Sequence, residues 1–281
     1  MKITEHEGNC YFAGWAGLQL FFRERHPETD PKASVVVLHG YTQHADWFMP
    51  VEDLLLDAGF SVFSFDMRGH GRSEGIRGDL VKFTDLARDI VTFTTYVREK
   101  SAGRKVFMVA HSLGASAAVS YAGRPGACID GLVTSGLYVI DAEGYPKWKH
   151  VVGRAVAPFL PLLPIQELDP DRFAVDTAVC ERYRNDPLIY HGGVRIRMGM
   201  HFMDMEAYLD GVPKRIEIPL LILHGKEDRL ASVEGSRKLY EEASSSDKQL
   251  LEIDNCGHEV LNDYPWKDNF ATILKWLNER A

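Results

Sequence analysis

Short uninterrupted apolar runs alternate along this chain with longer stretches in which apolar positions recur every three or four residues. Residues 35–38, 60–66, 106–110, 131–135, 219–224 and 249–253 are runs of strand length, each bounded by turn-forming or polar residues. Between them, residues 48–58 have helical spacing and stop at Gly59. Residues 83–100 carry Leu86, Ile90, Phe93 and Val97 on one helical face. Helix-compatible small residues follow Ser112, and helices are predicted again at 233–243 and 266–279. A hairpin at the N-terminus, 10–13 with 18–23, closes around Gly14-Trp15-Ala16-Gly17. Strands alternating with helices imply a mostly parallel sheet covered on both faces, an α/β architecture.

The alternation breaks after Leu137 and resumes only before Pro219. The expected organisation is therefore a core made of residues 1–137 and 214–281, with 138–213 inserted as a helical cap. Within the insertion Trp148, Val151, Val152, Ala155 and Phe159 fall at helical spacing, with Lys147, Lys149, His150 and Arg154 interleaved, and Pro158 limits the helix. Such a stripe either packs on the core or meets lipid or an acyl chain as a mobile lid.

Composition narrows the choice of partners. The chain has 281 residues, 45% hydrophobic and 26% charged, with a formal net charge of −8. That balance suits a globular enzyme and disfavours nucleic acid, because no basic patch stands out to neutralise phosphates. The polar start, Met1 to Glu7, lacks the apolar core of a signal peptide, and no apolar run is long enough to span a bilayer. Cys10, Cys128, Cys180 and Cys256 are scattered without metal-type spacing, so reduced thiols in a cytoplasmic protein are expected, with no metal and no cofactor. Cys256 is read as a small buried residue near the site.

The candidate chemistry sits where a predicted strand meets a predicted helix. In Val106-Phe107-Met108-Val109-Ala110-His111-Ser112-Leu113-Gly114, small residues flank one serine two positions to either side. A sharp strand-to-helix turn needs that arrangement, and it would expose Ser112 as a nucleophile at the strand end. The usual first glycine is here Ala110. A base and an acid are expected at later strand ends: His258 in Asn255-Cys256-Gly257-His258, and Asp228 in His224-Gly225-Lys226-Glu227-Asp228, with Glu227 and Asp254 as rival acids. His39, His44, His70, His111 and His224 are read as structural. Two backbone amides are expected to receive the developing oxyanion, that of Leu113 and that of Tyr41 in the loop His39-Gly40-Tyr41. The glycine-rich segment 69–75 does not fit a nucleotide-binding fingerprint and is read as a structural turn tied by Asp66 and Arg68.

Taken together, His39-Gly40-Tyr41-Thr42-Gln43-His44, the stretch from Phe65 to Gly75, Ala110 to Gly114, Asn185 to Gly193, His224 to Asp228 and Gly257 to Asp263 resemble the α/β-hydrolase superfamily, and within it the monoacylglycerol lipase and lysophospholipase-like branch. The resemblance implies a serine ester hydrolase with a cap over its site, working through Ser112, Asp228 and His258 with the Tyr41 and Leu113 amides. It also singles out Asp228 among the three acids. The expected substrate is a small acylated alcohol, foremost a monoacylglycerol. A broad carboxylesterase, lysophospholipase, thioesterase or aminopeptidase on the same triad remains open, as does a ligand-binding protein without catalysis. Transient contact of the cap with lipid surfaces is a further expectation.

Overall fold

A computed structural model describes residues 1–139 and 147–281 of the protein. Its strands are β1 (Ile3–His6), β2 (Asn9–Ala13), β3 (Gln19–Arg25), β4 (Ser34–Leu38), β5 (Ser61–Phe65), β6 (Val106–His111), β7 (Gly131–Ser135), β8 (Pro164–Gln166), β9 (Val194–Arg195), β10 (Leu220–Gly225) and β11 (Lys248–Ile253). All but β8 and β9 join one sheet in the order β1-β2-β3-β5-β4-β6-β7-β10-β11. The first three strands pair antiparallel, and everything from β5 to β11 is parallel. This is the α/β, mostly parallel sheet that the alternating pattern predicts.

The two-residue period of the strands divides the interior into two cores. In β4, Val36 and Leu38 point into one core while Val35 and Val37 point into the other; in β10, Leu220 and Ile222 oppose Leu221 and Leu223. Helices α2 (Phe83–Lys100) and α3 (Leu113–Ala122) cover the first face. The second is covered by α1 (Met49–Asp57) and α9 (Trp266–Asn278). Helix α2 buries Leu86, Ile90, Phe93 and Val97, the positions its spacing marks out, and Phe93 packs among Phe12, Phe22 and Phe65. Helix α3 is different: nearly every residue of it is buried, and its alanines and glycine let the backbone approach the sheet closely.

One local difference from the predicted elements has a simple cause. Strand β1 was not expected because Ile3-Thr4-Glu5-His6 is exposed on both faces, and its place is set by backbone pairing to β2 at the sheet edge. Helix α4 (Lys147–Val156) ends before Pro158, so Phe159 does not share its helical stripe. Among the described residues, the chain between β7 and β10 adds no strand to the main sheet. It contains α4, α5 (Thr177–Asn185), α6 (Ile196–Met203), α7 (Met205–Leu209) and the β8–β9 ribbon. Residues 140–146, which belong to the expected 138–213 insertion, lie outside the described residues.

Strand order reverses at β4: β5 lies on one side and β6 on the other. The loops leaving the carboxyl ends of β4 and β6 therefore face a common crevice, the place where open α/β sheets assemble their sites.

Candidate active site

Strand β6 runs straight into α3 through one residue, Ser112, whose backbone is held at φ 53, ψ −121. A non-glycine residue with positive φ is strained, and here the strain turns the side chain out of the sheet at the helix start. Close packing sustains the turn. A side chain at Gly114 would collide with the His39 carbonyl, and one at Gly40 would come within 2.9 Å of Ser112 Cβ. Ala110 is fully buried in β6, opposite Leu38 of β4, so a methyl group fits where the usual turn has glycine.

Ser112 Oγ is 2.7 Å from His258 Nε2, and His258 Nδ1 is 2.7 Å from Asp228 Oδ2. The three side chains come from the loops after β6, β11 and β10. Asp228 is doubly anchored: its Oδ1 accepts the Leu230 and Ala231 amides at 2.8 and 2.9 Å, and His224 Nε2 lies 3.2 Å from Oδ2. Burial alone would raise its carboxyl, but the two imidazoles and their hydrogen bonds hold it far below the ordinary carboxylate range. His258 shows the reciprocal effect. Burial opposes its charged form, yet Asp228 keeps its pKa above the ordinary histidine value. A serine, an imidazole and an orienting carboxylate in this order can deprotonate the serine and then protonate a leaving group.

The rival acids lie elsewhere. Asp254 pairs with Lys226 Nζ at 2.7 Å on the surface, and Glu227 is exposed. Of the histidines read as structural, His39 does brace its loop, between the Gly40 carbonyl and the Met67 amide. Asp66 ties the glycine-rich loop as expected, accepting the Ala45 and Arg72 amides, while Arg68 forms a bidentate pair with Asp89. Cys256 is fully buried, and burial pushes its thiol up to about 12.

The structure brings four more residues to the site: His224 and His111, read as structural, and Glu259 and Gln43, which sequence reasoning missed. His224 Nδ1 meets Ser236 Oγ, and its other nitrogen faces Asp228. Glu259, directly after His258, is fully enclosed and accepts Gln43 Nε2, Trp47 Nε1 at 2.9 Å and Asn262 Nδ2 at 3.1 Å. His111 Nε2 lies 3.3 Å from the same carboxylate. Burial works against the Glu259 charge, but His111 and the donated hydrogen bonds prevail and hold its pKa at about 2. Gln43 turns its own carbonyl oxygen to the Gly40 amide, 2.8 Å away. The available signal was adjacency: His111 precedes Ser112 and Glu259 follows His258.

The Leu113 amide belongs to the first turn of α3 and has no intrahelical acceptor. No acceptor for the Tyr41 amide occurs among the described residues. The Tyr41 side chain points the other way: its hydroxyl donates to the Gly78 carbonyl and its ring meets Phe202 edge-on. A small chamber over Ser112 is walled by Tyr41, Tyr138, Phe173 and Phe202. Beyond Tyr138, Leu168, Phe202 and Leu230 a cavity of about 610 Å³ extends between α4, α6 and the loop after β10. That size is typical of a site for one small organic molecule. Among the described residues, no group of three or more His, Cys, Asp or Glu side chains could hold a metal ion.

A mostly parallel sheet that delivers a serine on such a turn, with an acid and a histidine from the loops after its last two strands, is the α/β-hydrolase fold. Residues 29–265 match the Hydrolase_4 family, serine aminopeptidase, S33; the chain belongs to that family and is a serine hydrolase. It is 29% identical to the monoacylglycerol lipase of Mycolicibacterium smegmatis over 266 residues, 95% of each chain. It is 28% identical to the human monoglyceride lipase, over 94% of this chain and 88% of that one. The crystal structure of the Paleococcus ferrophilus monoacylglycerol lipase superposes with a TM-score of 0.82 at 28% identity, covering 93% of this chain and 99% of that one.

Proposed function

We propose that the protein hydrolyses monoacylglycerols through an acyl-enzyme on Ser112. Ser112 Oγ attacks the ester carbonyl while His258 Nε2 takes its proton. Asp228 fixes the imidazole tautomer and stabilises the imidazolium. The carbonyl oxygen, now negative, is received by the Tyr41 and Leu113 amides. His258 then returns the proton to the glycerol oxygen, and the C–O bond breaks. Water, deprotonated by the same imidazole, attacks the acyl-serine and releases the fatty acid.

The observation that carries this reading is the hydrogen-bonded chain from Ser112 to Asp228 opening into a cavity with largely apolar walls. The names of the aligned relatives support the glycerol ester as substrate. Lys149, Arg172 and Arg229 line the same cavity and favour a lysophospholipid as the second reading. Turnover of monoacylglycerols of graded chain length, measured against di- and triacylglycerols, lysophospholipids and short aryl esters, tests the assignment. Preference for an aryl ester or a lysophospholipid over every monoacylglycerol would overturn it.

In the same reading residues 138–213 form a cap that meets lipid. Trp148, Val151 and Val152 of α4 are 64%, 69% and 49% exposed, and Phe159 and Leu160 beyond it 83% and 56%. Isolated apolar residues at a surface are ordinary, but a contiguous group flanked by Lys149 and Arg154 suits a membrane interface. No helix among the described residues is long and apolar enough to cross a membrane.

A further inference from the structure

The loop after β4 is held in an unfavourable shape. Thr42, next to Tyr41, has φ 71, a left-handed conformation that a β-branched residue adopts only under constraint. Its hydroxyl meets Tyr183 at 2.6 Å, and its carbonyl accepts the Tyr190 amide. A further restraint runs through Gln43. One end of that amide group holds the Gly40 N–H, and the other end donates to Glu259. Gly40, Gln43 and Glu259 are all buried, so no bulk water competes for these bonds.

We propose that Glu259 is a positioning residue for acyl transfer: its carboxylate orients Gln43, and Gln43 fixes Gly40, so that the next amide, that of Tyr41, faces the space over Ser112. The inference rests on the role given to the Tyr41 amide above. Because Glu259 follows His258 directly, one side chain sets the oxyanion loop relative to the loop of the base. A carboxylate suits the place because every hydrogen-bonding neighbour is a donor: Gln43 Nε2, Trp47 Nε1 and Asn262 Nδ2. A glutamine there would turn its own N–H₂ toward a donor or force Gln43 to flip. A flipped Gln43 would present N–H₂ to the Gly40 amide and release the loop.

The test is steady-state turnover of a soluble p-nitrophenyl ester by full-length Glu259→Gln, Gln43→Met and the double variant, with melting curves to establish folding. Each single change is expected to lower kcat by about 10²-fold with KM within about two-fold, since an oxyanion donor acts on the transition state. The double variant is expected to be no worse than the weaker single, the signature of one coupled unit. Affinity for an alkyl boronic acid, which becomes tetrahedral on the serine, should fall in parallel. Affinity for a non-hydrolysable ether analogue should not change. Undiminished kcat in folded Gln43→Met, multiplicative losses in the double variant, or equal loss of ether affinity overturns the relay. If Glu259→Gln does not fold, Gln43→Met alone decides, because it leaves Glu259 its bonds to Trp47 and Asn262. Ser112→Ala separates the two levels: activity in that variant removes the proposed function itself, whereas an inactive Ser112→Ala beside fully active Glu259→Gln and Gln43→Met removes only the relay.

Discussion

Asp228 Oδ2 lies 2.7 Å from His258 Nδ1, although Asp254 is only four residues from that histidine in the chain. Asp254 instead turns outward to Lys226. Proximity in sequence and proximity in the site are separated here by a loop: β11 ends at Ile253, and the chain must fold back before His258 reaches Ser112.

The two acids make different predictions. Asp228→Asn should lower kcat by about 10⁴-fold, because an amide no longer selects the tautomer in which Nε2 accepts the serine proton. Asp254→Asn should leave kcat unchanged. Comparable losses in both would place the acid elsewhere.

Ser112→Ala should reduce turnover by about 10⁴- to 10⁶-fold and abolish labelling by a fluorophosphonate probe. Thermal melting should be little altered, since the hydroxyl of Ser112 serves no bond other than that to His258 among the described residues. Substantial residual turnover in a preparation free of wild-type enzyme counts against an acyl-serine.

The acid limb of kcat/KM should lie above pH 6.5. His258 must be neutral to take the serine proton, and Asp228 holds its pKa above the ordinary 6.5 despite burial. Activity is thus lost as the pH falls through that raised value. A limb below 6.5 in a pH–rate profile would contradict the pairing.

Stability should respond to acid through Glu259. Its pKa is lowered from an ordinary 4.5 to about 2, so its contribution is complete above about pH 4.5 and is lost as the pH falls toward 2. Asp228, also lowered, acts with the same sign. His258 is raised, so its contribution is complete below pH 6.5 and lost as the pH rises through the folded value. Melting temperatures recorded from pH 5 to 2 should fall less steeply for Glu259→Gln than for the parent protein. Parallel curves would show that the carboxylate is not held down.

The exposed apolar group on α4 and the turn after it predicts a surface effect. Replacing Val151, Phe159 and Leu160 together by Ser should weaken sedimentation with phospholipid vesicles and slow hydrolysis of aggregated monoacylglycerol. Turnover of a dispersed short-chain ester should be preserved. Equal effects on both substrates would make the patch structural.

Much of this architecture was readable from the chain. The strand runs and the face of α2 are local patterns set by side-chain period, and they survive into the fold because burying both faces of a parallel sheet demands them. The turn at Ser112 was readable for a similar reason, since small flanking residues and a preceding apolar run are local requirements. Strand β1 was not, because an exposed edge strand carries no hydrophobic signature.

The sequence by itself determined the alternating elements, the serine at a strand end, and the order in which an acid and a base follow it. Only the tertiary structure decided that His224 braces Asp228, that Glu259 and Gln43 join the loops of His258 and of Tyr41, and that the apolar stripe of α4 lies exposed. Period and turn chemistry act over a few residues, within reach of one stretch of chain. Contacts between loops that leave separate strands depend on strand order, register and close packing, which no single stretch encodes.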